Sequence, residues 1–189
     1  ASERLTNLVY PGTTLNAQSN YAVSDSNKLL PSVKKPYFVM VGTRQGESNY
    51  KNWNLVREAL RKIVPADAFA GTNAKIDSFV AGVGTVLFYE DQAVVKSLQE
   101  QFELYADNFP VWSEHSTAIA QFAVWNVLAE QGIGASLQHY NPIIDEKINA
   151  AFDIPTQWKL RAQLVFGSIE GEAGEKAFIE DESRFKTFG

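Results

Sequence analysis

The sequence predicts one domain of the α+β or three-layer α/β class, with helices in the majority. Two short apolar runs, at 37–41 and 85–89, have the length and composition of buried strands. Between and after them, apolar residues recur at helical spacing over longer segments. The chain has 189 residues, 45% of them apolar, so it is long enough to bury a core and is not expected to be disordered.

Residues 1–35 differ from the rest of the chain. They are rich in Ser, Thr, Asn and Gln, and Pro11, Gly12 and Pro31 interrupt any periodic pattern. We therefore interpret 1–35 as an atypical N-terminal arm and 36–189 as the folded domain. No internal repeat or Gly/Ser linker divides the second region.

Local signals place the elements of the first half. The run 37–41 predicts a buried strand. Ser48 can cap a helix that reaches about Val64, because Pro65 cannot continue it. The remaining elements, in order, are a helix over 67–79, a strand over 85–89, and a helix that Asp91 caps and that ends near Leu104.

The segment 113–130 predicts a helix with almost no polar face, after a break at Phe109–Pro110. Its apolar residues are Ala118, Ile119, Phe122, Ala123, Val124, Trp125, Val127 and Leu128. A helix that is apolar all round is buried on all sides. Because a domain of this size rarely surrounds a helix with its own elements, we expect a subunit interface to cover part of this one.

The last third begins with an extended stretch at 135–140 and a helix that starts at Pro142 and ends at Pro155. The strand predicted over 158–166 alternates, with Trp158, Leu160, Ala162 and Leu164 on one face and Lys159, Arg161, Gln163 and Val165 on a wetter face. For Lys159 and Arg161 we favour protection of a sheet edge over contact with a phosphate or a carboxylate. An acidic tail follows to Gly189.

Composition and charge exclude several classes of protein and site. With 17 Lys and Arg against 22 Asp and Glu, the formal charge is −5, which disfavours nucleic-acid binding. The absence of Cys excludes thiolate chemistry, and two His residues are too few for a multi-His zinc site, so no metal is expected. No apolar run could span a bilayer and no signal-peptide pattern opens the chain, so we expect no membrane contact and a cytoplasmic location.

The common catalytic motifs are also missing. The sequence contains no Walker A loop, G-x-S-x-G, H-E-x-x-H or EF-hand loop. Nucleophilic and metal catalysis therefore find no support. A bound organic cofactor would explain an enzyme that lacks reactive groups of its own.

One candidate site is the stretch 132–141, in which two glycines precede Gln138, His139 and Tyr140. Glycines allow a backbone to approach a planar ligand, and these side chains supply hydrogen-bonding groups. A flavin needs such groups along its pyrimidine edge and apolar contact on its faces. The alternative, a helix stop followed by a surface strand, stays open, since this is no G-x-G-x-x-G pattern.

Two further patterns have a functional and a structural interpretation. Arg184 and Lys186 can grip one phosphate together, or they pair with the acidic residues beside them. Glu114 and His115, which follow Trp112 at a helix start, can act as an acid/base pair, or they form only a cap and first turn.

Several strings of this sequence, taken together, match a known pattern. They are Trp53 with 57–65, then 74–79, 84–91, 105–114, 134–142, 158–163 and the closing Arg184-Phe185-Lys186. The most specific are Ser-Leu-Gln-His-Tyr-Asn-Pro at 136–142 and Trp-Lys-Leu-Arg-Ala-Gln at 158–163. From about residue 37 to 189 the chain resembles the nitroreductase family, in particular its short-chain branch of fatty-acid-repression-type and copper-induced nitroreductases.

This resemblance implies an α+β, three-layer, nitroreductase-like subunit with a mixed central sheet flanked by helices, assembled as a homodimer. It implies FMN at the dimer interface, NADH or NADPH as hydride donor, and a small aromatic electron acceptor. The flavin would carry the chemistry, so no catalytic side chain is assigned. A long central helix at the interface would account for the apolar segment 113–130.

The resemblance also implies site residues. Those along the flavin ring are Leu137, Gln138, His139 and Tyr140. Those near the FMN phosphate are Arg184 and Lys186. Those near the partner subunit's pocket are Trp112, Glu114 and His115. The N-terminus departs from the family pattern, because Arg4 stands alone where the family has an Arg pair for the phosphate. Asn16 and Gln18 resemble a loop that contacts the flavin, although they stand early relative to Tyr37.

Three functions are compatible with these observations. The first is an FMN-dependent NAD(P)H oxidoreductase that reduces nitroaromatics or quinones by ping-pong hydride transfer. The second is a non-catalytic flavin-binding or regulatory protein of the same fold, which the altered N-terminus suggests. The third is an interaction protein that dimerises through 113–130.

Overall fold

The computed structural model of the chain describes residues 38–43, 47–171 and 174–189. The helices in this part are α1 Glu47–Leu60, α2 Phe69–Val80, α3 Gln92–Gln101, α4 Asn108–Glu130, α5 Asp145–Phe152 and α6 Asp181–Arg184. The strands are β1 Phe38–Thr43, β2 Gly84–Asp91, β3 Gly134–Gln138 and β4 Trp158–Gly167. The predictions made for 1–35, including Arg4, Asn16 and Gln18, lie outside the described residues.

Most element boundaries follow from the local signals. Asp91 caps α3 as predicted, since its carboxylate accepts a hydrogen bond from the backbone N–H of Ala93 at 3.0 Å. Helix α1 ends at Leu60, earlier than predicted. Its last turn tightens into i→i−3 bonds, such as the one from the N–H of Ile63 to the Leu60 carbonyl at 3.0 Å.

The break predicted at Phe109–Pro110 is wrong. Helix α4 begins at Asn108 and runs through both residues to Glu130. Proline fits the first turn of a helix, because the N–H groups there have no partner within the helix. Phe109 is buried against Val95 and Leu98 of α3, which anchors this first turn.

The described sheet has the order β1-β2-β4-β3, and all three of its pairings are antiparallel. The mixed sheet that the resemblance implied is not seen among these strands. Strands β2 and β3 run in the same direction, but β4 lies between them and is antiparallel to both. A parallel pairing would need β2 beside β3, or β1 beside β4.

Helices cover both faces of the sheet, so the predicted three-layer α+β arrangement is confirmed. On one face, α1, α2 and α5 enclose a core that includes Trp53, Ile76, Leu87, Tyr89 and Ile148. On the other face, α4 places Ala120, Val124 and Leu128 over Val86 and Phe88 of β2 and Ala162 and Leu164 of β4. In the described part of the chain, no helix combines the length and apolar character needed to cross a membrane.

The even alternation predicted for β4 is interrupted at Arg161. The register pairs Phe88 with Ala162 and Tyr89 with Leu160, so Arg161 is an extra residue opposite that junction. Such a β-bulge changes the face on which the residues beyond it lie. Leu160 therefore packs on the α1 side and Ala162 packs beneath α4, and the single apolar face predicted for this strand is wrong.

The wetter face predicted for β4 is also wrong. Gln163 and Val165 are buried, Arg161 is largely covered, and Lys159 is exposed. Strand β4 is central, with β2 on one side and β3 on the other, so cations on it do not protect a sheet edge. The burial of this strand on both faces explains why its polar residues need specific partners.

Candidate functional site

The end of β3 carries the side chains that the sequence predicts for a flavin ring. Strand β3 is outermost on its side of the described sheet, and its residues are half-buried. Leu137 packs with the cluster beneath α4. Gln138 lies opposite Gln163, whose amide donates a hydrogen bond to Asn52 of α1. Directly opposed residues share a face, so Gln138 belongs to the α1 side.

Amide groups form a row on this side of the sheet. The Nε2 of Gln138 donates to Oγ of Ser136 at 2.7 Å. The Nε2 of Gln163 donates to Oδ1 of Asn52 at 3.3 Å. In the described part of the chain, the buried Oε1 of Gln163 and Nδ2 of Asn52 have no hydrogen-bond partner. A row of this kind can both donate and accept, as the pyrimidine edge of a flavin requires.

His139 and Tyr140 have different surroundings. His139 is exposed, and its Nδ1 lies 3.1 Å from the carbonyl oxygen of Arg161. Because a carbonyl only accepts, this contact holds a proton on Nδ1. The half-buried Tyr140 ring meets Trp53 edge-on, with 6.0 Å between centroids. Burial raises the pKa of the Tyr140 phenol, which keeps it protonated.

A charged array lies beside this end of the sheet. The Nε of Arg161 is 2.5 Å from Oε2 of Glu90, and its Nη2 contacts Oε1 of Glu114. The side chain of Glu90 is 1% exposed, that of Arg161 17% and that of Glu114 48%. Removing one partner of a buried ion pair leaves an uncompensated charge, which costs about 3–5 kcal/mol. Arg161 therefore joins β2, β4 and α4 through charges.

The predicted residues of the acceptor pocket lie in the first turns of α4. The partly exposed Trp112 ring meets Phe109 edge-on, with 5.4 Å between centroids. His115 is exposed. The described ion pair of Glu114 is with Arg161 and not with His115. This geometry favours a role for Glu114 in holding the helix over one as half of an acid/base pair.

Asp145, at the start of α5, is a second carboxyl in an altered environment. Burial raises its pKa, while the positive charges of Lys159 and Arg161 act in the opposite direction. Its Oδ1 and the Oδ1 of Asn141 are buried without a hydrogen-bond partner in the described chain. Burial, and then the charge of Asp145, raises the pKa of Tyr89.

Within the described ranges, no group of three His, Asp or Glu residues could hold a metal ion.

The two tail cations are not joined to β3. Arg184 ends α6; its Nη2 lies 3.3 Å from Oδ1 of Asp181, and its guanidinium lies 5.1 Å from the centroid of the Phe185 ring. Lys186 is exposed. Among the described hydrogen bonds, ion pairs and ring contacts, none links either cation to residues outside the tail.

One face of α4 is left uncovered by the part of the chain that the structure describes. The exposed apolar side chains on it are Val111, Trp112, Ile119, Phe122 and Trp125. The opposite face carries Ala120, Val124 and Leu128, which pack on the sheet. Among the described residues of one subunit, the helix is thus buried on one side only, and not on all sides. An apolar patch of this kind marks an interaction surface.

The sequence interpretation missed Glu90 and treated Arg161 as a surface cation. A carboxylate near the end of the apolar strand β2 was the available signal. The bulge that places Arg161 beside it is not visible in an alternating pattern, because it depends on how β4 pairs with β2.

The chain is similar to known proteins in both sequence and structure. Residues 30–168 match the family model described as Nitroreductase family. The structure of nitroreductase CinD from Lactococcus lactis in complex with chloramphenicol is similar at a TM-score of 0.73, with 45% identity, and the likeness covers 92% of this chain and 91% of that one. The structure of CinD in complex with 4-nitrophenol gives a TM-score of 0.72 with the same identity and coverage.

Two proteins of Saccharomyces cerevisiae are similar in sequence. HBN1 is 34% identical over 137 residues, which cover 72% of this chain and 67% of HBN1. The nitroreductase FRM2 is 36% identical over 98 residues, which cover 52% of this chain and about half of FRM2. Together with the structural likeness, these matches confirm the predicted fold class.

Proposed function

Because this chain belongs to the nitroreductase family, we propose that it is an FMN-dependent NAD(P)H oxidoreductase that reduces nitroaromatics or quinones. The observation that carries the proposal is the 45% identity, over nearly all of both chains, to a nitroreductase whose structures hold chloramphenicol and 4-nitrophenol. Both ligands are small nitroaromatic molecules. We assign the same class of acceptor to this chain, together with the short-chain branch and a cytoplasmic location.

The residues at the end of β3 fit a flavin. The amide of Gln138 donates and accepts, and the hydroxyl of Ser136 lies beside it. The outer backbone edge of β3 supplies further donors and acceptors in the described sheet. Leu137 and the exposed apolar face of α4 supply apolar contact. This combination of a polar edge and apolar surfaces matches an isoalloxazine ring.

When bound, FMN supplies the redox chemistry, a hydride transfer from NADH or NADPH to the ring and then to the acceptor, which gives ping-pong kinetics. The chain binds and orients the ring through Leu137, Gln138, His139 and Tyr140. The Arg161 carbonyl accepts the Nδ1 proton of His139, which orients this ring beside the end of β3. Trp112 offers an aromatic surface to a planar acceptor.

Arg184 and Lys186 are the residues we assign to the FMN phosphate. A phosphate monoester carries a charge of roughly −2 at neutral pH. The chain as a whole carries −5, so local cations are needed to hold such a group. Two cations two residues apart in the exposed tail can contact one phosphate together.

We propose a homodimer whose second copy covers the exposed face of α4. Four large apolar residues, Ile119, Phe122, Trp125 and Val111, lie exposed on this one helix. In this arrangement Trp112, Glu114 and His115 approach the flavin pocket of the partner. A site built from both subunits explains why the tail cations and β3 are not joined within one chain.

The proposal is tested by purifying the protein with FMN and measuring NADPH oxidation with nitrobenzene. We expect a yellow protein whose turnover clearly exceeds that of free FMN at the same concentration. Bound flavin with turnover no faster than free FMN would support the non-catalytic alternative. A dimer whose melting temperature ignores FMN would support an interaction protein, since a ligand of the folded state raises that temperature.

A further inference from the structure

The extra residue of the β4 bulge, Arg161, contacts three segments of its own chain, near the ends of β2 and β3 and in the second turn of α4. Its backbone carbonyl accepts the Nδ1 proton of His139, which follows β3. Its guanidinium contacts Glu90 near the end of β2 and Glu114 in the second turn of α4. No other residue of the described chain has ion pairs to two carboxylates. Arg161 thus contacts both His139, which follows the strand assigned to the flavin, and α4, which carries the residues assigned to the acceptor pocket.

The two carboxylates differ in a way that separates their roles. Glu90 is 1% exposed and also accepts from the amide of Gln92 at 3.2 Å, so it is fixed within the protein. Glu114 is 48% exposed and lies on a helix that carries Trp112 and His115. The contact with Glu90 therefore fixes the guanidinium of Arg161. The contact with Glu114 then holds α4 to that guanidinium. A planar guanidinium serves both, because its donors lie in a rigid fork.

The start of α4 is packed on one side only. Phe109, Ser113 and Thr117 are buried on that side, whereas Val111, Trp112 and Glu114 are exposed. An added charge contact at Glu114 restricts how this turn moves relative to His139. A displacement of about 1 Å in positioning residues can change a rate by about a hundredfold.

We propose that Arg161 is a positioning residue, and that its contact with Glu114 fixes the α4 turn that reaches the partner's flavin pocket relative to the β3–His139 edge that holds the flavin of its own subunit. The proposal rests on the proposed function for its consequence on turnover. Its structural part is independent of the flavin. Glu114 then acts through Arg161, and not as a proton donor.

The test uses Glu114→Gln, because an Arg161 variant without a positive charge would leave Glu90 buried without its partner. Glu130→Gln is the matched control, since Glu130 is an exposed carboxylate at the far end of the same helix and its loss changes the net charge equally. Hydrogen exchange of the backbone amides over 108–117 is measured by peptide mass in both variants. Because the Glu114–Arg161 pair is half-exposed, we expect the amides of 108–117 to exchange about three- to fivefold faster in Glu114→Gln than in the wild type. Glu130→Gln leaves these peptides unchanged.

The same variants are assayed as FMN-loaded protein with nitrobenzene, which carries no charge. We expect kcat/KM to fall by about three- to fivefold in Glu114→Gln, while kcat at saturation and the retained FMN stay unchanged. The conservative variant Arg161→Lys should accelerate exchange over 108–117 similarly, and Glu114→Gln should add nothing to it, because both remove one contact.

Unchanged exchange over 108–117 in Glu114→Gln overturns the proposal, whether or not the protein binds flavin. Faster exchange together with lost FMN and lowered kcat also overturns it, since the pair would then only maintain the fold. A wild-type protein without flavin or turnover contradicts the proposed function instead, and the exchange experiment still decides the role of Arg161.

Discussion

Replacing Phe122 by Glu should separate the proposed dimer. Phe122 lies 69% exposed on the uncovered face of α4. A buried Phe removes about 200 Å² from water, so covering this exposed part removes about 140 Å² per copy. At about 25 cal/mol per Å², the two copies contribute about 7 kcal/mol to association. This contribution to association, which is an upper value, is lost in Phe122→Glu. The variant also places a carboxylate in the interface.

Sedimentation equilibrium measures the effect. The wild type should sediment at twice the 21.0 kDa of one chain, and Phe122→Glu at the mass of a single chain. Ile63→Glu is the matched control, because Ile63 is 63% exposed just beyond α1 and away from this face. A Phe122→Glu protein that remains dimeric, with the dissociation constant of the wild type, would refute the assignment of this face.

Three further predictions concern stability, pH and the cofactor. Leu128 lies in the buried contact between α4 and the sheet, so Leu128→Ala should lower the free energy of unfolding, measured in urea, by about 3 kcal/mol. Leu104 is exposed, and Leu104→Ala should change this free energy by less than about 0.5 kcal/mol. Equal losses in the two variants would contradict the packing described. Burial raises the pKa of Asp145, so the folded state holds this proton more tightly than the unfolded state, and stability from this group is present at low pH and lost as the pH rises. Asp145→Asn should therefore gain stability relative to wild type as the pH rises above the ordinary pKa of an Asp carboxyl, and a pH-independent difference would exclude this cause. Arg184→Gln and Lys186→Gln should each weaken FMN binding about tenfold in a fluorescence titration, and unchanged affinity in both would remove the tail from the phosphate site.

Local signals in the sequence predicted the elements well where one segment decides the structure. Asp91 caps its helix because the cap needs only the N–H groups of the next residues. The two apolar runs became β1 and β2, and β2 is buried along its whole length, which is why it needs no alternation. Pro110 was misjudged because its effect depends on position, and in a first turn it breaks no hydrogen bond.

The site was predicted less completely, because part of it depends on pairing between distant segments. The residues of β3 were found from their glycines and polar side chains, and the structure places Gln138, His139 and Tyr140 at one strand end. Arg161 was misassigned because the bulge is set by the register of β4 against β2, some 70 residues apart in the sequence. The roles of all these residues in binding FMN stay predictions.

In the proposed enzyme, each flavin site is built from two copies of this chain. The most direct measurement is sedimentation of the protein purified with FMN, followed both in the ultraviolet and at the visible absorbance of the flavin. We expect flavin absorbance to travel only with a species of twice the 21.0 kDa chain mass. Flavin that sediments with a single chain, or a dimer that carries no flavin at saturating FMN, would contradict this expectation.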